Sequence, residues 1–215
     1  MSNIPKNMRA AAIDRFGGPE VLTLHHLPVP ILDQNEVLIA LDTVGVGPWD
    51  ADVREGWYPA GRPRFPLVLG VDGAGAVAVV GSRVHRFKVG DLVYSYSFEN
   101  PFRKGGFYAE YVAVVSERVA HIPTRLDMKQ AGAIPTTGLT ALQGIDDTLR
   151  VRKGEAVIIE VARTPRRGAC ARQDCPYGSQ RNHSFLIVRS AGNLFPRARR
   201  LTCCKLSLLA VNHFD

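Results

Sequence analysis

The sequence predicts a mainly β protein: a partly open antiparallel β-barrel, followed by an incomplete α/β start and an irregular tail. Three observations carry this. Before residue 125, five or six short strand-like stretches are separated by Gly/Pro turns, with almost no helical period. FPLVLGVDGAGAVAVVG, residues 65–81, is an apolar run broken by glycines and by the carboxylate of Asp72. After Glu160 the composition changes abruptly.

In chain order, Met8 to Ile13 is a strand candidate that turns at Gly17, Gly18 and Pro19 and resumes at Val21 to Leu24, as a hairpin does. Glu36 to Val44 alternates apolar and polar residues, the pattern of a half-buried strand, and ends in a Gly/Pro loop at Gly45 to Pro48. The next stretch sets Trp49, Asp50, Trp57 and Tyr58 among Pro and Gly, either as pocket walls or as a plug for a barrel end. Leu67 to Leu69 and Ala76 to Val80 flank a hinge in which Gly70, Gly73 and Gly75 allow positive φ or close backbone approach. A carboxylate in such a corner, Asp72, must cap neighbouring backbone N–H groups or belong to a site, because a bare buried charge costs several kcal/mol or neutralises itself. Leu92 to Tyr96 and Gly105 to Val115 complete the strand candidates. Asp127 is placed to cap a short helix through Ala131, Pro135 interrupts it, and Thr137 to Ile145 begins a second helix. Ala156 to Ile159 is a continuous apolar run, suited to a strand buried on both faces of a parallel sheet.

These elements divide the chain into a barrel over residues 1–125, the beginning of a nucleotide-binding domain over 126–160, and a basic tail over 161–215. Up to Glu160, 17 Lys and Arg face 18 Asp and Glu, whereas the remainder has 10 against 2. The net charge of +7 therefore lies in the last quarter, together with all of Cys170, Cys175, Cys203 and Cys204. The opening residues have no apolar stretch of signal-peptide length and no later run approaches a membrane span, so a cytoplasmic protein without a membrane partner is expected.

GVGPWDADVREGWYP, FPLVLGVDGAGAVAVVG, VHRFKVGDLVY, GGFYAEYVAV, AGAIPTTGLTALQGI and VRKGEAVIIE resemble, in order and spacing, the medium-chain dehydrogenase/reductase superfamily, in its zinc-free quinone oxidoreductase branch, which includes zeta-crystallin. The resemblance covers about residues 8–160 and implies a GroES-like barrel followed by a Rossmann domain, with NADPH and a quinone, enone or other activated carbonyl or alkene meeting between them. It places Pro48 and Thr140 beside the cofactor, and Trp49, Asp50, Tyr58 and Asp72 in the substrate pocket. Relatives often carry asparagine at the position of Gly47 and tyrosine at that of Asp52. No catalytic acid or base is assigned, since Asp50, Asp72, Tyr58 and Thr140 can each serve positioning alone. A homodimer is compatible with the resemblance.

The same comparison argues against a metal. Zinc-dependent members keep a cysteine in the loop matched by Gly47-Pro48 and a His-Glu pair where this chain has Val71-Asp72, and no cysteine precedes residue 170. His25, His26, His85 and His121 show no metal spacing.

After Ile159 the family pattern requires a glycine-rich turn whose backbone N–H groups approach a pyrophosphate. EVARTPRRGACARQDCPYGSQRNHS has a Thr164-Pro165 break and a lone Gly168 instead. The chain thus reads as truncated or frameshifted after about residue 160, with NADPH binding and activity impaired. The rival reading is a non-catalytic barrel that acts as an interaction module. The tail's Cys and His gaps fit no common zinc finger, and its arginines come with no nucleic-acid-binding fold, so no specific nucleic-acid partner is expected.

Overall fold

The computed structural model describes residues 4–57 and 63–153, and the backbone of three strands at 156–162, 184–190 and 198–202. It divides into two compact units, Met1–Thr136 and Thr137–Asp215.

In the first unit, β1 (Asn7–Ile13) pairs antiparallel with β2 (Leu22–Pro28) on one side and with β4 (Leu67–Val68) on the other. A five-stranded antiparallel sheet runs in the order β7 (Tyr111–Val115), β3 (Glu36–Val44), β5 (Asp72–Val80), β6 (Leu92–Tyr96), β8 (Val119–His121). This sheet is a curled half-barrel. Its alternating inward residues Val37, Ile39, Val77, Val93, Val112, Val114 and Val119 close over Phe107, Val84 and Phe87. Each fully buried valine or isoleucine contributes about 1.5–3 kcal/mol through removal of apolar surface from water. A smaller cluster, Ile13, Val21, Val53, Leu67 and Leu69, packs with Phe16, Trp57, Phe102 and Tyr108 beside the three-stranded sheet.

The glycines of the β4–β5 corner serve both purposes expected of them. Gly70 has φ +91, open to few other residues, and Gly75 brings β5 so close to β3 that a Cβ would lie 2.0 Å from the carbonyl oxygen of Ala40. Two breaks in the β3–β5 register, at Leu38/Ile39 and Leu41/Thr43, bend the pair and increase its curl.

Two helices stand where almost no helical period was expected: α1 (Pro48–Arg54) and α2 (Asn100–Arg103). Neither spans two full turns, so no apolar stripe can develop along it, and each starts on local chemistry, with a proline in its first turn. The expectation for α3 (Met128–Ala133) is met in detail. Asp127 accepts from the Gln130 N–H at 2.8 Å and Gln130 accepts from the Asp127 N–H at 3.1 Å, a reciprocal capping box. Thr43 Oγ1 donates to the Met128 carbonyl at 2.7 Å, and Gly132 lies against the backbone of Thr43. α3 is thereby docked on β3, which carries the first unit past residue 125 to Thr136.

α4 (Pro135–Gln143) runs into a π-helical turn, Gly144–Leu149, that ends at Arg150 in the left-handed region. β9 (Ala156–Ala162) follows, so a helix leads into a strand as an α/β unit begins. Its pairing differs from expectation. β9 runs antiparallel to β10 (Ser184–Ser190), which in turn pairs antiparallel with β11 (Ala198–Thr202). A parallel neighbour needs a crossover that returns the chain to the same end of the sheet, and β10 instead enters from the opposite end. The stretch Phe185 to Val188, read as a short strand or helix piece within an irregular tail, lies in β10. The cysteines and the Thr164-Pro165 break lie outside the described residues.

Candidate functional site

Where β3 ends, the chain turns through Gly45 to Gly47 into α1, facing the start of β5. The Gly45 N–H donates to the Asp72 carbonyl at 3.1 Å, which ties the loop to the β4–β5 corner. Pro48 begins α1 and is exposed. Asp50 is buried, 6% exposed. Its Oδ2 accepts from the Gly47 N–H at 2.8 Å and from the Tyr108 hydroxyl at 3.0 Å. Burial raises the Asp50 carboxyl above its ordinary range, against the lowering effect of the Gly47 and Tyr108 donors, and the nearby Asp72 charge adds to the rise.

Asp72, the first residue of β5, is 2% exposed. Its Oδ2 accepts from the Thr136 N–H at 3.0 Å and from the Thr136 hydroxyl. Thr136 stands in the first turn of α4, so the carboxylate caps that helix from across the sheet. Burial again raises the carboxyl, partly offset by the two Thr136 donors. The capping reading of Asp72 is therefore realised, with a donor far away in sequence.

Tyr108 joins the two carboxylates electrostatically. Its hydroxyl is pushed well up by burial and by the Asp50 charge, with a further contribution from Asp72. Its ring covers Gly70, where a Cβ would meet Cδ1 at 2.5 Å. Tyr96, opposite Asp72 in the β5–β6 ladder, is pushed up by burial to about 12. Both tyrosines thus remain protonated donors at neutral pH. The sequence reading missed Tyr108 and Thr136. A hydroxylated aromatic two residues after the Gly105-Gly106 pair was the available signal for the first; nothing local marked the second.

Trp49 is half-buried at the second position of α1. Trp57 belongs to an aromatic group with Phe98 and Phe102, at ring-centre distances of 5.8 Å between Trp57 and Phe98 and 5.6 Å between Phe98 and Phe102. Tyr58 lies outside the described residues. Thr140 lies on α4 in the second unit and is half-buried. The structure thus brings Asp50, Asp72 and Tyr108 together in the first unit.

Residues 33–124 match the alcohol dehydrogenase GroES-like domain. The chain belongs to the medium-chain dehydrogenase/reductase superfamily. Among the relatives of this dehydrogenase/reductase chain, the quinone oxidoreductase of Lama guanicoe is 37% identical over 156 residues, which are 72% of this chain and 46% of that protein. The solved quinone oxidoreductase of Coxiella burnetii aligns at 32% identity with a TM-score of 0.62, over 70% of this chain and 47% of that one. An Escherichia coli quinone oxidoreductase solved with NADPH aligns at 27% identity and a TM-score of 0.55, over 63% of this chain and 39% of that one. The chain spans about half the length of the curated relatives it matches.

The described residues can be tested for the groups this superfamily uses. They contain no cluster of three or more His, Cys, Asp or Glu side chains able to hold a metal ion. A dinucleotide's pyrophosphate would need unclaimed amides at a helix N-terminus. In the first unit Asp50 accepts from the N–H of Gly47, the N-cap of α1, Asp127 from that of Gln130 in α3, and Asp72 from that of Thr136 in α4. Among the described residues no helix is long and apolar enough to cross a membrane.

Proposed function

We propose that this chain is the substrate-side half of a zinc-free, NADPH-dependent oxidoreductase of quinones or related activated carbonyls and alkenes, and that its own cofactor binding is impaired. The observation that carries the reading is the similarity to quinone oxidoreductases over 156 residues, together with the GroES-like match over residues 33–124, which contain the Asp50–Tyr108–Asp72 corner. In such enzymes the reduced nicotinamide supplies a hydride, and the protein supplies position and electrostatics. Here Pro48 and Thr140 are the residues proposed to face the nicotinamide, and Trp49, Asp50, Tyr58 and Asp72 to line the substrate pocket. Asp50 and Tyr108 hold the loop before α1 at a fixed height over the β4–β5 corner, and Asp72 holds the start of α4. The impairment is supported by the absence of a glycine-rich turn after Ile159. Residues 161–215 are proposed to be a basic tail foreign to the family, joined by a shift of reading frame near Glu160.

Titration of the purified chain with NADPH, followed by cofactor fluorescence, tests this directly. No saturable micromolar binding is expected; saturation in that range overturns the impairment. Translation of the coding sequence in its other two frames past Glu160 should reveal a glycine-rich turn and alternating strands and helices. Neither frame doing so overturns the proposed origin of the tail.

A further inference from the structure

β2 lies at the open side of the three-stranded sheet, whose order is β2-β1-β4, and it pairs only with β1. The Val29 N–H donates to the Lys6 carbonyl at 3.0 Å, and opposite residues in an antiparallel ladder alternate between bonded and non-bonded pairs. The register from Asn7↔Pro28 to Ile13↔Leu22 therefore turns the peptide groups of Thr23, His25 and Leu27 toward β1, and those of Leu22, Leu24, His26 and Pro28 outward. The Leu22 N–H is taken up by the Pro19 carbonyl, and proline has none to offer. The outward amides of Leu24 and His26 have no partner among the described residues. Folded proteins blunt such an edge with charges, bulges or a covering segment. Among the described residues β2 has none of these. Its register is unbroken over seven pairs, it contains no Asp, Glu, Lys or Arg, and Leu24 is 68% and Leu22 37% exposed. The two ends of the strand differ in charge. Glu20, just before β2, and Lys6, opposite Val29 just after it, are exposed and have no ion pair among the described residues. The neighbouring charges cancel: Asp14 against Arg15 in the hairpin turn, and Arg9 against Glu110, 2.7 Å apart.

We propose that β2 is the pairing edge of a symmetric dimer, in which β2 of a second copy adds antiparallel across a two-fold axis at Leu24. Each Leu24 amide then donates to the Leu24 carbonyl of the other copy, and each His26 amide to the other copy's Leu22 carbonyl, so that the two three-stranded sheets become one. A second copy suits this edge for two reasons. A strand without charged residues meets itself with no like charges facing one another, and Leu24 covers Leu24. The antiparallel direction also sets the Glu20 end of each copy against the Lys6 end of the other, the self-complementarity that a two-fold interface requires. The contact lies wholly in the first unit and does not depend on cofactor binding.

Sedimentation velocity and residue-resolved amide exchange on the full chain test it, over about 20 µM to about 500 µM, the range suited to a small interface. The dimer fraction should rise with concentration. Exchange at Leu24 and His26 should slow with it by at least about tenfold, while Thr23, His25 and Leu27, already bonded to β1, change little. Leu24→Lys sets two like charges opposite each other at an exposed position that the folded monomer does not need, and should weaken association by more than about tenfold. Glu20→Lys and Lys6→Glu should each weaken it by about threefold, and the two together should restore it. A monomer at every concentration, a dimer that leaves the Leu24 and His26 amides unprotected, or a Leu24→Lys variant that dimerises as tightly as wild type overturns the pairing edge. A double reversal no tighter than the single ones overturns the antiparallel two-fold arrangement.

Discussion

Asp50 and Asp72 each accept an N–H at the start of a helix, but Asp50 takes its donor from three residues away and Asp72 from 64 residues away. The chemistry is the same and the range is not. Asp50 completes a turn that the peptide can form by itself: a proline opens the helix, and the carboxylate at its third position reaches back to the cap. Asp72 acts only after β5 has paired with β3 and α3 has docked on β3, because only then does the first turn of α4 lie beside it. Through its amide partner Asp50 stabilises a local turn, which the Tyr108 hydroxyl joins from far along the chain, whereas Asp72 has only the distant Thr136 and couples a sheet corner to the start of α4.

The contrast should be visible first in stability. Asp72→Ala removes the acceptor shared by the Thr136 amide and hydroxyl and is expected to cost about 2 kcal/mol, against less than about 1 kcal/mol for Asp72→Asn, whose carbonyl can still accept. Urea denaturation measures both, and equal losses would mean that the charge rather than the acceptor matters. Asp50→Ala should cost about 1 kcal/mol, in the range of a helix cap. Its loss should be confined to α1 and the loop before it, as amide exchange protection would report. Exchange that accelerates equally in α4 would erase the distinction between the two carboxylates. Tyr108→Phe should be milder still, about 0.5–1 kcal/mol, because the ring keeps its packing over Gly70 and one neutral donor is lost.

The smallest expected effect is on pH dependence, and its sign follows from burial. Both carboxyls are raised above the ordinary value of 3.8 in the folded chain. The folded state therefore prefers their neutral form. That preference contributes fully below the unfolded value and is lost as pH rises through the folded one. Over that acid-side window the wild-type protein should lose stability relative to Asp50→Asn and Asp72→Asn as pH increases. Unfolding free energies of the variants that run parallel to wild type across the window would show that burial does not dominate at these sites.

Much of the barrel was legible because its strands are short apolar stretches between turn residues. Glu36–Val44 and Leu92–Tyr96 form strands at the expected places, although Glu36–Ile39 is buried at four consecutive positions rather than at every second one. The cap at Asp127 was legible because both partners of the capping box lie within four residues. α1 was not, because seven residues are too few to display a helical stripe, and its Gly/Pro flanks read equally well as loop. At the candidate site, Asp50 and Asp72 drew notice as carboxylates in apolar or glycine-rich surroundings. Their partners Tyr108 and Thr136 did not, because both pairings are long-range.

By itself, then, the sequence determined the places of the strands, the glycine corner around Asp72, the short helix at Asp127 and the superfamily, all of them written in spacings of a few residues. Tertiary structure alone decided that Asp50 also accepts from Tyr108 and that Asp72 accepts from Thr136. It also decided that Trp49 fills the space above Gly47 and that β9 pairs antiparallel with β10. The physical reason is shared. A hydrogen bond, a ring contact or a strand pairing depends on which distant segments the packed core brings together, and no local pattern encodes that choice.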